Sequence, residues 1–364
     1  MIIYFADSNM NVFAMGSTFL RKGLTVYDDQ LTEEVETGTA SFEAWISGMS
    51  YEMFRKIYSE RTYILRSDNG EHGVYTVLDS EMDDDIVHVY AEDAGLDLLN
   101  DIATPFTADV AHDIAWYVNK YISDTGFEIG ANTAPSEALK LSFLNEQTRK
   151  ARIDEIASDF GAEISYGFEI SGLAVTRMYI NLHARRGSDN GAQLRVGKEL
   201  SNLHIKTSAA DIVTGLVAVG GTPQNSDIPV NLSGYSYDDG DCYTSGNCLY
   251  SRDALIRWAR YAPTVRKRSD DDISSHIIQK FESSALTQAA LCSETVAELK
   301  KKSMPAVTFE AEVLYLPEGT GIGDTVYIVD LDKELFVQTR IIKTEKSCAN
   351  KSYTATLGDS GRSI

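Results

Sequence analysis

The sequence predicts a multidomain α+β protein containing two small β-barrel domains joined by α+β segments. Three observations carry this. Residues 1–92 break into short strand-like runs separated by tight-turn residues. From Ala94 the apolar spacing becomes helical. From Met304 four runs rich in Val, Ile, Thr, Tyr and Phe return, with almost nothing in them that could do chemistry.

The elements follow in order. Ile2 to Phe5 and Val12 to Met15 flank Asp7-Ser8-Asn9, a tight-turn composition. Ser41 to Ile46 reads as a strand, followed by a short helical patch over Tyr51 to Tyr58. Thr62 to Arg66 and Val74 to Leu78 flank Ser67-Asp68-Asn69-Gly70, where Asn-Gly supplies the positive φ angles of a hairpin. Ile86 to Tyr90 closes the unit. Val110, Ile114, Tyr117, Val118 and Tyr121 then recur at helical spacing, with Thr107 as N-cap. A second helix spans Thr148 to Phe160, stopped by Gly161. Two strands, Ala162 to Ile170 and Leu173 to His183, are joined at Ser171-Gly172. Ser208 to Asp211 reads as one helical turn and Ile212 to Val219 as a strand. A polar loop leads to two helices: Ser251 to Tyr261, capped by Ser251, and Ile273 to Lys302, broken near Glu282-Ser283-Ser284. After Pro305 come strands Val307 to Leu316, Thr325 to Val329, Leu335 to Thr344 and Ser352 to Leu357. The expected division is 1–96 as an N-terminal β-barrel, 97–199 as an α+β domain, and 200–238 with 304–360 as a second β-barrel. Residues 239–303 are expected to be a helical insertion packing with the α+β domain.

The bulk numbers narrow the class. At 364 residues the chain exceeds one ordinary core. Its 43% hydrophobic and 24% charged residues belong to a folded protein. No apolar run approaches the roughly 18 to 20 residues needed to span a membrane. The start, MIIYFADSNMNVF, has no basic n-region and meets Asp7 early, so no signal peptide is expected and synthesis is expected in a cytoplasm. A net charge of −21 argues against a phosphate-binding surface, because polyanions are held by clustered Lys and Arg. It serves solubility, or a surface that must repel nucleic acid. Four cysteines do not make a disulfide scaffold, and free thiols are expected.

Candidate chemistry is sparse, and the sequence assigns no catalytic, cofactor-binding or metal-ligating residue. The run Asp79, Glu81, Asp83, Asp84, Asp85 lacks a calcium-loop pattern and reads as a charged turn. Asp238, Asp239 and Asp241 have ligand chemistry but no second carboxylate group at a defined spacing. Cys242 and Cys248 lack zinc-site spacing and a nearby histidine. Gly319 to Gly323 resembles a phosphate loop but leads into a strand, not a helix, so it reads as a hairpin loop. His72, His88, His112, His183, His204 and His276 form no ligand or triad motif and are expected to be structural. Arg257, Arg260, Arg266, Lys267 and Arg268 make one basic cluster, but Asp270 to Asp272 follow at once, which disfavours nucleic acid. Glu155 and Asp159, four apart, read as solvated charges. Tyr235, Tyr237 and Tyr243 suit either a carbohydrate contact or a subunit contact.

Several stretches resemble a known family. LHIKTSAADIVTGLVAVGG, the GIGDTVYIVD turn and a terminal TATLGDS are similar to phage and prophage tail minor structural proteins, as is the helix-then-hairpin ARIDEIASDFGAEISYGFEISGLAVTRMYINLHARRG. The likeness covers essentially the whole chain in element order. It implies a baseplate hub of the virion tail tip: a homotrimer whose two β-barrels per chain form a ring of six-fold appearance. That ring would match the tail tube or distal tail protein ring and contact other tail-tip proteins, with DNA passing through the lumen without specific binding. Assembly in the host bacterial cytoplasm is implied, with no enzyme activity and no cofactor. Many members continue into a lytic or receptor-binding module. The sequence stops after the last barrel strand, which fits a short hub or the non-catalytic N-terminal part of a tail-associated hydrolase. An alternative is a cell-wall hydrolase in its own right.

Overall fold

In the computed structural model, residues 1–93, 95, 101–223, 228–259 and 275–358 are described. The N-terminal strands are β1 (Ile2–Ala6), β2 (Val12–Ser17), β3 (Leu24–Glu34), β4 (Ala40–Ser47), β5 (Tyr63–Asp68), β6 (Glu71–Asp83) and β7 (Ile86–Asp93). They pair in the circuit β1-β2-β3-β4-β7-β6-β5 and back to β1, a closed 7-strand barrel. Only the short β2–β3 contact is parallel. Alternation along the strands sends Ile3, Phe5, Val26, Phe42, Ile46, Ile64, Val87 and Val89 into one core. The β5–β6 turn is as the sequence expects, with Asn69 and Gly70 both at positive φ (48° and 87°). Helix α1 (Tyr51–Ser59) starts where the Ser50 side chain accepts from the Met53 amide, and it buries Ile57. Closure leaves no strand of this barrel at an edge, since β1 bonds both β2 and β5.

The next segment packs α2 (Ile114–Ile122) and α3 (Arg149–Asp159) on a three-stranded sheet of Phe127–Thr133, Ala174–His183 and Glu163–Ser171. Tyr117, Val118, Ile153, Ile156, Phe160, Ile180 and Leu182 fill the space between them. Thr148 caps α3 as its own side chain accepts from Ala151. The α2 cap differs from expectation. It is Asp113, whose carboxylate accepts the Trp116 amide at 2.8 Å, and Thr107 lies in a short strand against Ser142–Phe143. His112 and Leu139 exchange both backbone hydrogen bonds at 2.9 Å, so the chain stays extended until Asp113. Helical spacing from Val110 is overridden by that pairing.

The closing stretch forms strands Ala306–Glu312, Thr325–Asp330, Leu335–Ser347 and Ser352–Gly358. Thr325–Asp330 pairs with Asp189–Arg195 in parallel and with Leu335–Ser347 antiparallel. The far half of Leu335–Ser347 pairs with β3, Lys343 opposite Glu34 and Lys346 opposite Leu31. The long strand β3 therefore belongs both to the barrel and to the sheet of the closing strands.

The described chain divides into two compact units, 1–204 with 310–357 and 205–309. The second unit holds a four-stranded sheet in the order Cys242–Ser245, Cys248–Ser251, Gly215–Val219, Ile278–Glu282, with helices α4 (Arg252–Trp258) and α5 (Gln288–Lys302). Leu216, Ala218, Leu249, Leu291 and Leu299 make its core. Ser251 caps α4, as expected. Ile278–Glu282 reads as helix in the sequence but is a strand, because it pairs residue for residue with Gly215–Val219. The helix proper begins only after the Ser283-Ser284 break. Arg260, Tyr261, Arg266, Lys267, Arg268 and Asp270 to Asp272 lie outside the described residues, as do Ser360 to Ile364.

Phe42 is fully buried in the barrel core. Phe42→Ala is expected to destabilise the barrel by about 3–5 kcal/mol in urea unfolding, whereas Tyr51→Ala on the exposed side of α1 should stay within about 0.5 kcal/mol. Equal effects would show that the barrel interior does not hold this region together.

Candidate functional site

Two backbone segments cross at contact distance where the α+β segment meets the closing strands. A Cβ built on Gly187 (φ +81°) would lie 2.2 Å from the Gly323 carbonyl carbon, and one on Gly323 (φ +90°) would lie 2.7 Å from the Arg186 oxygen. Only glycine permits both the approach and the left-handed angles. Arg340, 3% exposed, spans this crossing. Its Nε donates to the Gly323 carbonyl at 2.7 Å, and its two terminal nitrogens donate to the two Glu163 oxygens at 2.6 Å each. One of them also donates to the Arg186 carbonyl. Glu163 accepts the Arg186 amide at 2.6 Å, and the Arg186 guanidinium reaches Glu33 on β3 at 3.3 Å. Asp324 accepts the Ser188 amide at 2.6 Å and the Gly321 amide at 2.8 Å. Burial by itself would raise the pKa of Glu163. The Arg340 fork and the Arg186 amide outweigh it and hold the carboxyl below its usual range.

A second cluster fastens the Ser347–Ala349 turn onto the barrel. Asp29 of β3, 1% exposed, accepts the Cys348 amide at 3.1 Å, the Ala349 amide at 2.7 Å and the Ser347 hydroxyl at 3.3 Å. Asp68 of β5 pairs with Arg66 at 3.4 Å and Lys346 at 3.2 Å, and accepts from the Cys348 thiol at 3.0 Å. Burial, then the hydrogen bond to Asp68, pushes that thiol up to about 11, so it stays a protonated donor rather than a nucleophile.

The residues singled out from sequence are spread over both units. The Asp79 to Asp85 run forms the β6–β7 hairpin, with Asp84 at φ 53° in its turn. His88 stacks on Trp45 at 4.3 Å and meets Glu81 at 3.1 Å. His112 stacks on Trp116, His183 meets the Ser165 hydroxyl, His276 meets Thr214, His72 lines a small cleft beside Tyr4, and His204 opens an exposed strand. Asp238 makes a bidentate pair with Arg252, Asp239 meets Lys300, and Asp241 accepts the Ser251 hydroxyl and the Asp253 amide at the start of α4. Glu155 accepts from Gln147 at 2.6 Å. Asp159, exposed at the end of α3, is pushed up to about 6, by desolvation first and then by Glu155. Tyr235 and Tyr237 line a shallow cleft beside Cys292 and Val296, whereas Tyr243 is buried under the Arg252 guanidinium. Arg257 donates to the Met304 sulfur. Gly319 to Gly323 lead into the strand Thr325–Asp330. Among the described residues no group of three or more His, Cys, Asp or Glu side chains is placed to hold a metal ion. The structure thus brings together Arg340, Glu163, Gly187 and Gly323, which no spacing rule in the sequence picks out.

Removing one partner of the Arg340–Glu163 pair strands a buried charge. Arg340→Met and Glu163→Gln are each expected to cost about 3–5 kcal/mol, and the double variant less than their sum. Additive losses in thermal or urea unfolding would show that the pair is not coupled. Since Glu163 titrates lower when folded, its contribution is complete above the ordinary glutamate pKa of about 4.3 and fades as pH falls through its folded pKa. Glu163→Gln should flatten that part of the stability profile.

No family model and no curated relative matches the chain. Solved structures do. Prophage tail protein gp18 from Listeria monocytogenes EGD-e superposes with a TM-score of 0.61 at 14% identity, over 100% of this chain and 95% of that one. The 43 kDa tail protein of prophage MuSo2 from Shewanella oneidensis gives 0.60 at 12%, over 98% and 97%. The tail protein from Neisseria meningitidis MC58 gives 0.59 at 9%, over 99% and 96%. The chain has the fold of the prophage tail proteins, along its whole described length.

Proposed function

We propose that this chain is a structural subunit of a phage or prophage tail tip: a homotrimeric baseplate hub that closes or continues the tail tube and adapts it to host-contacting components. The observation that carries the proposal is the full-length match to three tail proteins, two of them from prophages, in which at least 95% of each is covered. The closed barrel sharing β3 with the closing strands supports it, since such a joined β-body suits a ring element. The net charge of −21 supports a lumen that lets DNA pass without holding it. Assembly would take place in the host cytoplasm, with the tube ring above and other tail-tip proteins as partners.

A cell-wall hydrolase is the competing class. It would need two carboxyl groups opposed across a cleft, one acid and one base or nucleophile. The carboxylates of Glu163, Asp29, Asp68, Asp238 and Asp324 are instead engaged by arginines or backbone amides, and Glu155 and the raised Asp159 lie one turn apart on the exposed side of a single helix rather than opposed across a cleft. That favours the structural class.

Sedimentation equilibrium at high micromolar concentration is expected to give three times the 40.1 kDa chain mass, and a cell-wall zymogram no clearing. A chain that stays monomeric at those concentrations would overturn the trimer. Clear lytic zones would overturn the structural reading itself.

A further inference from the structure

The tip between Thr325–Asp330 and Leu335–Ser347 carries the most exposed large apolar side chain among the described residues, Leu331 at 83%. Phe336, also exposed, pairs in register with Val329 just before the tip and stacks on Tyr327 at 5.9 Å. This knob is stiff. The Asp330 carboxylate accepts the Asp332 and Lys333 amides at 3.1 and 3.2 Å and pairs with the Lys333 ammonium. A turn braced in this way loses little backbone freedom on docking, so less of the contact energy is spent on ordering it. Asp332 and Glu334 beside it are exposed acids.

Elsewhere on the same unit lies a groove of about 320 Å³. Exposed Phe19 and Leu314 and half-buried Tyr353 give it apolar walls, and Lys346 and Lys351 are among the residues lining it. Asp68 in its lining is already neutralised by Arg66 and Lys346, and Lys346 also pairs with Glu71 at 2.9 Å, which leaves Lys351 as the cation the groove offers. Lys351 makes no ion pair among the described residues. An apolar slot lined partly by lysine complements an apolar knob flanked by acids.

We propose that the Leu331 tip of one chain docks in the Phe19–Leu314 groove of a second copy, with Asp332 and Glu334 facing Lys351. Knob and groove are different surfaces, so the contact is head-to-tail and closes into a ring when the rotation between copies allows it. The proposal rests on the self-association proposed above and names the surfaces that make it.

Leu331→Cys combined with Leu314→Cys, in a Cys348→Ser background and under mild oxidation, is expected to give interchain disulfides that close at the trimer on non-reducing gels. Each single cysteine variant should give none. Lys351→Glu should weaken association about three- to tenfold, in keeping with one partly shielded ion pair, and Asp332→Lys with Glu334→Lys should restore it in that background. Cross-linking by Leu331→Cys alone would mean that tips meet tips and would overturn the proposal. So would the absence of cross-links in the double variant: with wild-type protein still trimeric, the hub reading stands and only the surfaces are wrong. If the wild type is monomeric as well, both fall.

Discussion

The guanidinium of Arg340 holds together parts of the chain that are remote in sequence. It sits where the α+β segment hands over to the closing strands, and it bonds a carboxylate from the first and a carbonyl from the second. A buried arginine costs least when its charge is paired and its donors are filled, and the fork on Arg340 holds Glu163 to within a hydrogen-bond length. The same requirement fixes the crossing below it. If either Gly187 or Gly323 carried a side chain, the two backbones would separate and the fork would lose the Arg186 and Gly323 carbonyls together. Arg186 then passes the constraint to Glu33 on β3, the strand that the barrel shares with the closing sheet.

That arrangement changes the meaning of the acidic composition. A net charge of −21 invites an account in terms of solubility or repulsion. A share of those acids points inward instead. Asp29, Asp68, Glu163, Asp324 and Asp330 each accept two or more hydrogen bonds from backbone amides or cations. Glu199, bonded first by the Arg195 side chain and also by its amide and Tyr315, is pulled down to about 2. These acids stitch loops to strands, a task that amides and arginines make favourable only when the acid is ionised. Acidity here is structural as well as superficial.

What could be read from the sequence was local. Asn69-Gly70 sets its turn by backbone angle alone, and Ser251 and Thr148 cap their helices through a bond three residues away. The hairpin from Glu163 to His183 follows from two alternating runs and a Ser-Gly turn. What could not be read was long-range. Nothing in Ile278–Glu282 announces that Gly215–Val219 will pair with it, and nothing in Val110 to His112 announces Leu139. Barrel closure by β1 and β5 joins residues about sixty apart, and Arg340 finds Glu163 across 177. The one faint signal was glycine in ARRG and GIGD, positions that demand left-handed backbone without saying against what.

A chain can keep this architecture at 9 to 14% identity only if what is shared is geometric rather than chemical. Barrel closure asks for alternation, not particular residues, and many sequences supply it. A joint between segments asks for more, because a close backbone crossing and a buried fork each admit few residue types. Closure and joint together give one β-body in which a strand of the barrel cannot move without moving the closing sheet. The density of buried polar bonds at the joint is what ties the α+β segment, the closing sheet and β3 to one another.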